Sequence, residues 1–120
     1  MKVFISAQQQ GLDAPTSDIF GRAPWYVSVD SETLQAESFE NHAQKAQSGA
    51  GIEAAQWLIN HGAQVVISAN IGPKALQVLR AANIPVYLAQ KGSVQENVEL
   101  WLNGELQEMD RASTAAHSGM

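Results

Sequence analysis

The sequence predicts an α/β fold: one mixed five-stranded sheet with helices on its faces. Three observations predict it. Residues 3–40 contain one short apolar run and then two alternating runs joined by a turn, the pattern of strands. From residue 49 onward, helical periodicity alternates with short apolar runs, and strands separated by helices pair in parallel through right-handed crossovers. The chain has 120 residues, 45% of them hydrophobic, enough to bury one core without a disulfide or a structural metal.

Residues 3–7, Val-Phe-Ile-Ser-Ala, read as a short buried strand. A polar segment with Gly11, Pro15 and Gly21 separates it from Pro24 and the run 25–30, where Trp25, Val27 and Val29 share one face and Tyr26 and Ser28 the other. After the turn Asp30-Ser31-Glu32-Thr33, residues 34–40 alternate and are largely polar, as an edge strand would be, closing an antiparallel hairpin. Residues 42–48 read as a polar loop.

Residues 49–60 follow with Ile52, Ala55, Leu58 and Ile59 at helical spacing and Gly62 as the left-handed stop. Trp57 falls off that stripe. Residues 64–69 have the character of a strand buried on both faces. Pro73 suits a first helical turn because it has no N–H to leave unpaired; Leu76, Leu79 and Ala82 mark one face, and Asn83 a stop. Residues 85–89 form the next strand. Ser93 and Glu96 make a capping box for a helix with Val94, Val98, Trp101 and Leu102 on one side, ended by Asn103-Gly104. The expected organisation is a single domain over residues 1–110 and a disordered tail, 111–120, small and polar in composition.

Composition excludes several functions. The chain has no cysteine, which removes disulfide scaffolds, thiolate-ligated clusters and cysteine nucleophiles. A net charge of −5 argues against binding nucleic acid or anionic membranes. No apolar run approaches a membrane span or a signal peptide, so the expected location is the cytoplasm. His42, His61 and His117 have no metal-site spacing; His61 fits a helix carboxyl end, and His42 is left as a weak candidate for a ligand. No carboxylates are grouped as two-metal nuclease chemistry needs, and no serine has a recognisable base. The expectation is a protein that is not an enzyme.

In open α/β sheets a ligand binds outside the carboxyl ends of the parallel strands. Three loops are expected to meet there: 7–10, Asn70-Ile71-Gly72 and Gln90-Lys91-Gly92, with the turn Ser48-Gly49-Ala50-Gly51 beside them. Three glycine-led helix starts would then form an anion-binding concavity, to which Arg22 and Lys74 add positive charge. Each Gly-rich start serves equally well as a plain tight turn. The Asn70 amide suits either a neighbouring loop or a ligand.

Three segments together resemble the dinitrogenase iron–molybdenum cofactor biosynthesis family: Ser17-Asp18-Ile19-Phe20-Gly21-Arg22-Ala23-Pro24, Ser48-Gly49-Ala50-Gly51-Ile52-Glu53-Ala54-Ala55-Gln56 and Ser68-Ala69-Asn70-Ile71-Gly72-Pro73-Lys74-Ala75. The likeness covers roughly residues 1–106 and is greatest to the family's orange-protein members, carriers of a molybdenum–copper sulfide cluster. It implies a ribonuclease H-like fold with strand order 3-2-1-4-5, the second strand antiparallel. It also implies a non-enzymatic carrier whose site comprises Phe20, Gly21 and Arg22, Ser48 to Gly51, Asn70 to Gly72, and Lys74. Many members place a histidine in the glycine turn, where this chain has Gln47-Ser48-Gly49-Ala50-Gly51. The ligand the resemblance implies, a preformed anionic cluster, brings its own sulfur and is compatible with that difference. The alternative partner set is that of an interaction module in an assembly or division complex, for instance with ATPases, and without metal.

Overall fold

A computed structural model describes residues 1–46 and 48–110. The expected tail, His117 within it, and Gln47 lie outside the described residues. Strands β1 (Lys2–Ala7), β2 (Trp25–Asp30) and β3 (Ala36–Glu40) form an antiparallel meander. A 3-10 helix (His42–Lys45) leads to α1 (Ala50–Asn60), β4 (Val65–Ser68), α2 (Pro73–Ala81), β5 (Val86–Leu88) and α3 (Val94–Leu102). The sheet order is β3-β2-β1-β4-β5, with β4 parallel to both β1 and β5. No helix among the described residues is long and apolar enough to cross a membrane.

Alternation along the strands sorts the core into two layers. Phe4, Tyr26, Val66 and Val86 pack with Ala54, Ala55 and Leu58 of α1 and Leu76 and Leu79 of α2. On the other face Val3, Ile5, Val27, Val29, Val65 and Ile67 pack with Val94 and Val98 of α3. Helices thus cover both faces. The capping box closes on α3, Pro73 occupies the first turn of α2, and Gly62 is left-handed at φ +79°.

Three local expectations are corrected. Residues 42–45 are a 3-10 helix rather than plain loop, begun by Asn41, whose side chain accepts the Ala43 N–H. Ile52 is not in the core stripe of α1 but 40% exposed. The face that α1 buries is Ala50, Ala54, Ala55 and Leu58, with Trp57 packed at its edge, T-shaped to Phe4 at 5.9 Å. Leu102, at 50% exposure, likewise leaves the buried face of α3.

After α3 the chain returns to the sheet. Leu88 N–H donates to Gln107 O at 2.8 Å, and Met109 N–H to Val86 O at 2.7 Å, so residues 107–109 run antiparallel along the outer edge of β5. Leu106 and Met109 are buried there.

Candidate functional site

The carboxyl ends of β1 and β4 are joined by a buried hydrogen bond of 2.9 Å that Ser6 Oγ donates to Ser68 Oγ. The segment leaving β1 is zipped onto the end of β4. Asn70 N–H donates to Asp18 O at 3.1 Å, and Phe20 N–H donates to Asn70 O at 2.7 Å. The Asn70 side-chain amide adds a further bond to Asp18 O at 2.6 Å. That amide therefore holds a neighbouring loop.

Two buried polar residues fix the turn that follows. The Tyr26 hydroxyl donates to Phe20 O, and the two rings lie 5.7 Å apart. Burial pushes the Tyr26 phenol well above its usual pKa, so it acts as a neutral donor. Asn41 Nδ2 donates to the carbonyls of Gly21 at 3.0 Å and Ala23 at 2.8 Å, while its Oδ1 accepts from Ala43 N–H at 3.0 Å. One side chain thus anchors both the turn bearing Arg22 and the 3-10 helix. Arg22 Nη1 reaches the other end of that helix, donating to Gln44 O at 2.7 Å.

Between this turn and the starts of α1 and α2 lies an open cavity of about 470 Å³. Phe20, Gly21 and Arg22 line one wall; Gly49, Ala50 and Gly51 line a second; Asn70, Gly72 and Lys74 line a third. Ile71 is instead in the core at 1% exposure, and Ser48 lies outside the lining. His42 is exposed on the 3-10 helix, also outside it. Among the described residues no group of three His, Cys, Asp or Glu is placed to hold a metal ion.

The loops 7–10 and 90–92 do not reach the cavity, which corrects the expected meeting of three helix starts. The reason is a long-range pairing. The segment 12–16 lies across the start of α3: Val94 and Gln95 N–H donate to the carbonyls of Ala14 and Leu12, each at 2.9 Å, and Thr16 N–H to Gly92 O at 3.0 Å. With the Ser93–Glu96 capping box, the first-turn donors of α3 are consumed by the chain. At α1 and α2 the N-cap residues are Gly49 and Gly72, and neither helix has a side-chain cap. First-turn N–H groups have no acceptor within their own helix, so these two starts offer donors and partial positive charge where they line the cavity.

Sequence reasoning missed four wall residues; besides Pro73 and Ala75 these are two large apolar ones, Ile19 and Ile52. The two isoleucines are 54% and 40% exposed, and both line the cavity. A periodicity search reads a large apolar residue as core, and only the packing of Ala54, Ala55 and Leu58 reveals that Ile52 faces away. Lysine and arginine beside exposed isoleucine and unpaired amides suit an anion with a soft, polarisable surface.

Comparison with known proteins agrees with this architecture. The chain is similar to the apo form of the orange protein from Desulfovibrio gigas, with a TM-score of 0.89 and 36% identity over 92% of this chain and 94% of that one. A Thermotoga protein of the DUF35 family matches with a TM-score of 0.77 and 32% identity over 89% of this chain and 91% of its own. An uncharacterised Methanocaldococcus jannaschii protein is 34% identical over 94 residues, which span 76% of this chain and 80% of that one. The family model described as dinitrogenase iron-molybdenum cofactor matches residues 1–104. The chain belongs to the dinitrogenase iron-molybdenum cofactor family.

Proposed function

We propose that the protein is a non-catalytic carrier of an anionic molybdenum-containing sulfide cluster, of molybdenum–copper type, held in the cavity between α1 and α2. One observation carries this reading: two helix starts without capping side chains line one cavity, together with Arg22, Lys74 and two exposed isoleucines. A preformed sulfide cluster is cargo that arrives with its own metal ligands. It requires N–H donors, positive charge and apolar contact from the protein, and does not require thiolates. Membership of the family and likeness to the orange protein support the same reading. The volume, about 470 Å³, lies within the usual range of small-ligand pockets.

The test is reconstitution with tetrathiomolybdate and copper(I), followed by desalting. Visible absorbance that travels with the protein supports the proposal. Colour that always separates from the protein refutes it. The exposed pair Ile19 and Ile52 also favours a second reading, a metal-free interaction module for partners such as ATPases. A pull-down recovering one stable partner with metal-free protein would favour that alternative.

A further inference from the structure

Four glycines line the cavity, and the fold accounts for three of them. A Cβ on Gly21 would stand 2.7 Å from the backbone of Gly51. One on Gly51 would stand 3.3 Å from Ala75 Cβ. Gly49 has φ +74°, where side chains other than glycine's are strained. Gly72 differs from all three. Its φ of −74° and ψ of 164° are open to any residue, and a Cβ built there meets nothing within 4 Å. As the N-cap of α2 it is moreover a position where serine or aspartate serves a helix better than glycine.

We infer that the ligand packs directly against Gly72, and that this bare wall sets how large an anion the cavity admits. The inference rests on the carrier reading above and adds to it where the cargo sits. A ligand in contact with both Gly72 and Arg22 touches two of the cavity's three walls. A single tetrahedral oxyanion would leave most of about 470 Å³ to water, whereas a multinuclear anion would fill it.

The experiment compares wild type with Gly72→Ala, Gly72→Ser and Gly72→Leu, each loaded with tetrathiomolybdate plus copper(I), desalted, and melted with and without load. Retention should fall about tenfold for Gly72→Ala and Gly72→Ser, and by more for Gly72→Leu. The unloaded melting temperatures should stay within a few degrees of wild type, with Gly72→Ser equal or slightly higher because it caps α2. Wild-type retention with equal retention in all three variants overturns this inference and leaves the carrier reading standing. Loss of retention accompanied by a large drop in unloaded melting temperature also overturns it, since Gly72 would then serve the fold. A wild type that retains no colour overturns both.

Discussion

Gly21 and Gly51 touch backbone to backbone: a Cβ on Gly21 would lie 2.7 Å from both the Cα and the N of Gly51. The contact presses the β1–β2 turn onto the first turn of α1, and that turn in turn sits against Ala75 of α2. A backbone neighbour cannot rotate aside as a side chain can. Gly21→Ala should therefore destabilise by about 1–3 kcal/mol, the usual range for overpacking. At ~3–6 °C per kcal/mol for a domain of this size, thermal melting should fall by roughly 3–18 °C. Gly51→Ala should cost less, because its closest neighbour is a methyl group and alanine favours the helix by about 1 kcal/mol. Urea unfolding of the two variants side by side checks the ranking.

Arg22 donates to a neutral carbonyl, Gln44 O, so that bond does not cancel its charge. Arg22→Gln removes the charge and keeps some donors. A charge-assisted hydrogen bond to an anion is worth on the order of 1–3 kcal/mol. Retention of a tetrathiomolybdate–copper load should fall by roughly one to two powers of ten, at ~1.4 kcal/mol per factor of ten. The difference from wild type should narrow as salt rises, since screening weakens the wild-type attraction first. Retention unchanged at every salt concentration would remove Arg22 from the site.

Asn97 is fully buried and holds the turn before α3: its Oδ1 accepts from Gln90 N–H at 2.7 Å, and its Nδ2 donates to Gln90 O at 3.0 Å and Ser93 O at 2.9 Å. Asn97→Leu strands those groups and should cost about 1–3 kcal/mol in urea unfolding. Cluster retention should not change, because the turn lies outside the cavity lining. Asn41→Leu, which frees the carbonyls of Gly21 and Ala23, should lower both stability and retention.

Backbone N–H groups of Glu32 and Thr33 hold the Asp30 carboxylate below its ordinary pKa of 3.8. A depressed folded value means stability that is present above the unfolded value and lost as pH falls through the folded one. Melting of the wild type should decline on acidification below about 3.8. Asp30→Asn can still accept the same bonds but does not titrate there, so its curve should be flatter over that window. Identical slopes would show that other carboxylates dominate the acid limb.

Much of the fold was legible because its signals are local. Alternation at Trp25 to Val29, Pro73 at a helix start, and Ser93 with Glu96 each act within a few residues. The site was legible only in outline, since its final shape depends on distant pairings. Residues 12–16 cover the start of α3 through backbone bonds, which leave no mark on residue type. The 3-10 helix is four residues long, too short for periodicity, and depends on Asn41 beneath it. Asn41 and Asn97 look like ordinary surface amides until the fold encloses them.

The pairing of residues 107–109 with β5 bears on how copies of the molecule behave when crowded together. The edge it covers is the apolar one, Val86-Tyr87-Leu88, whereas the opposite margin, β3, carries Glu37 and Glu40. An unpaired apolar strand is a template on which another chain can add. A chain shortened after Gly104 would bare that template, and concentrated solutions of it should scatter light and form β-rich aggregates where the longer chain stays clear. Residues 107–109 thus occupy the apolar edge on which a further strand would otherwise add.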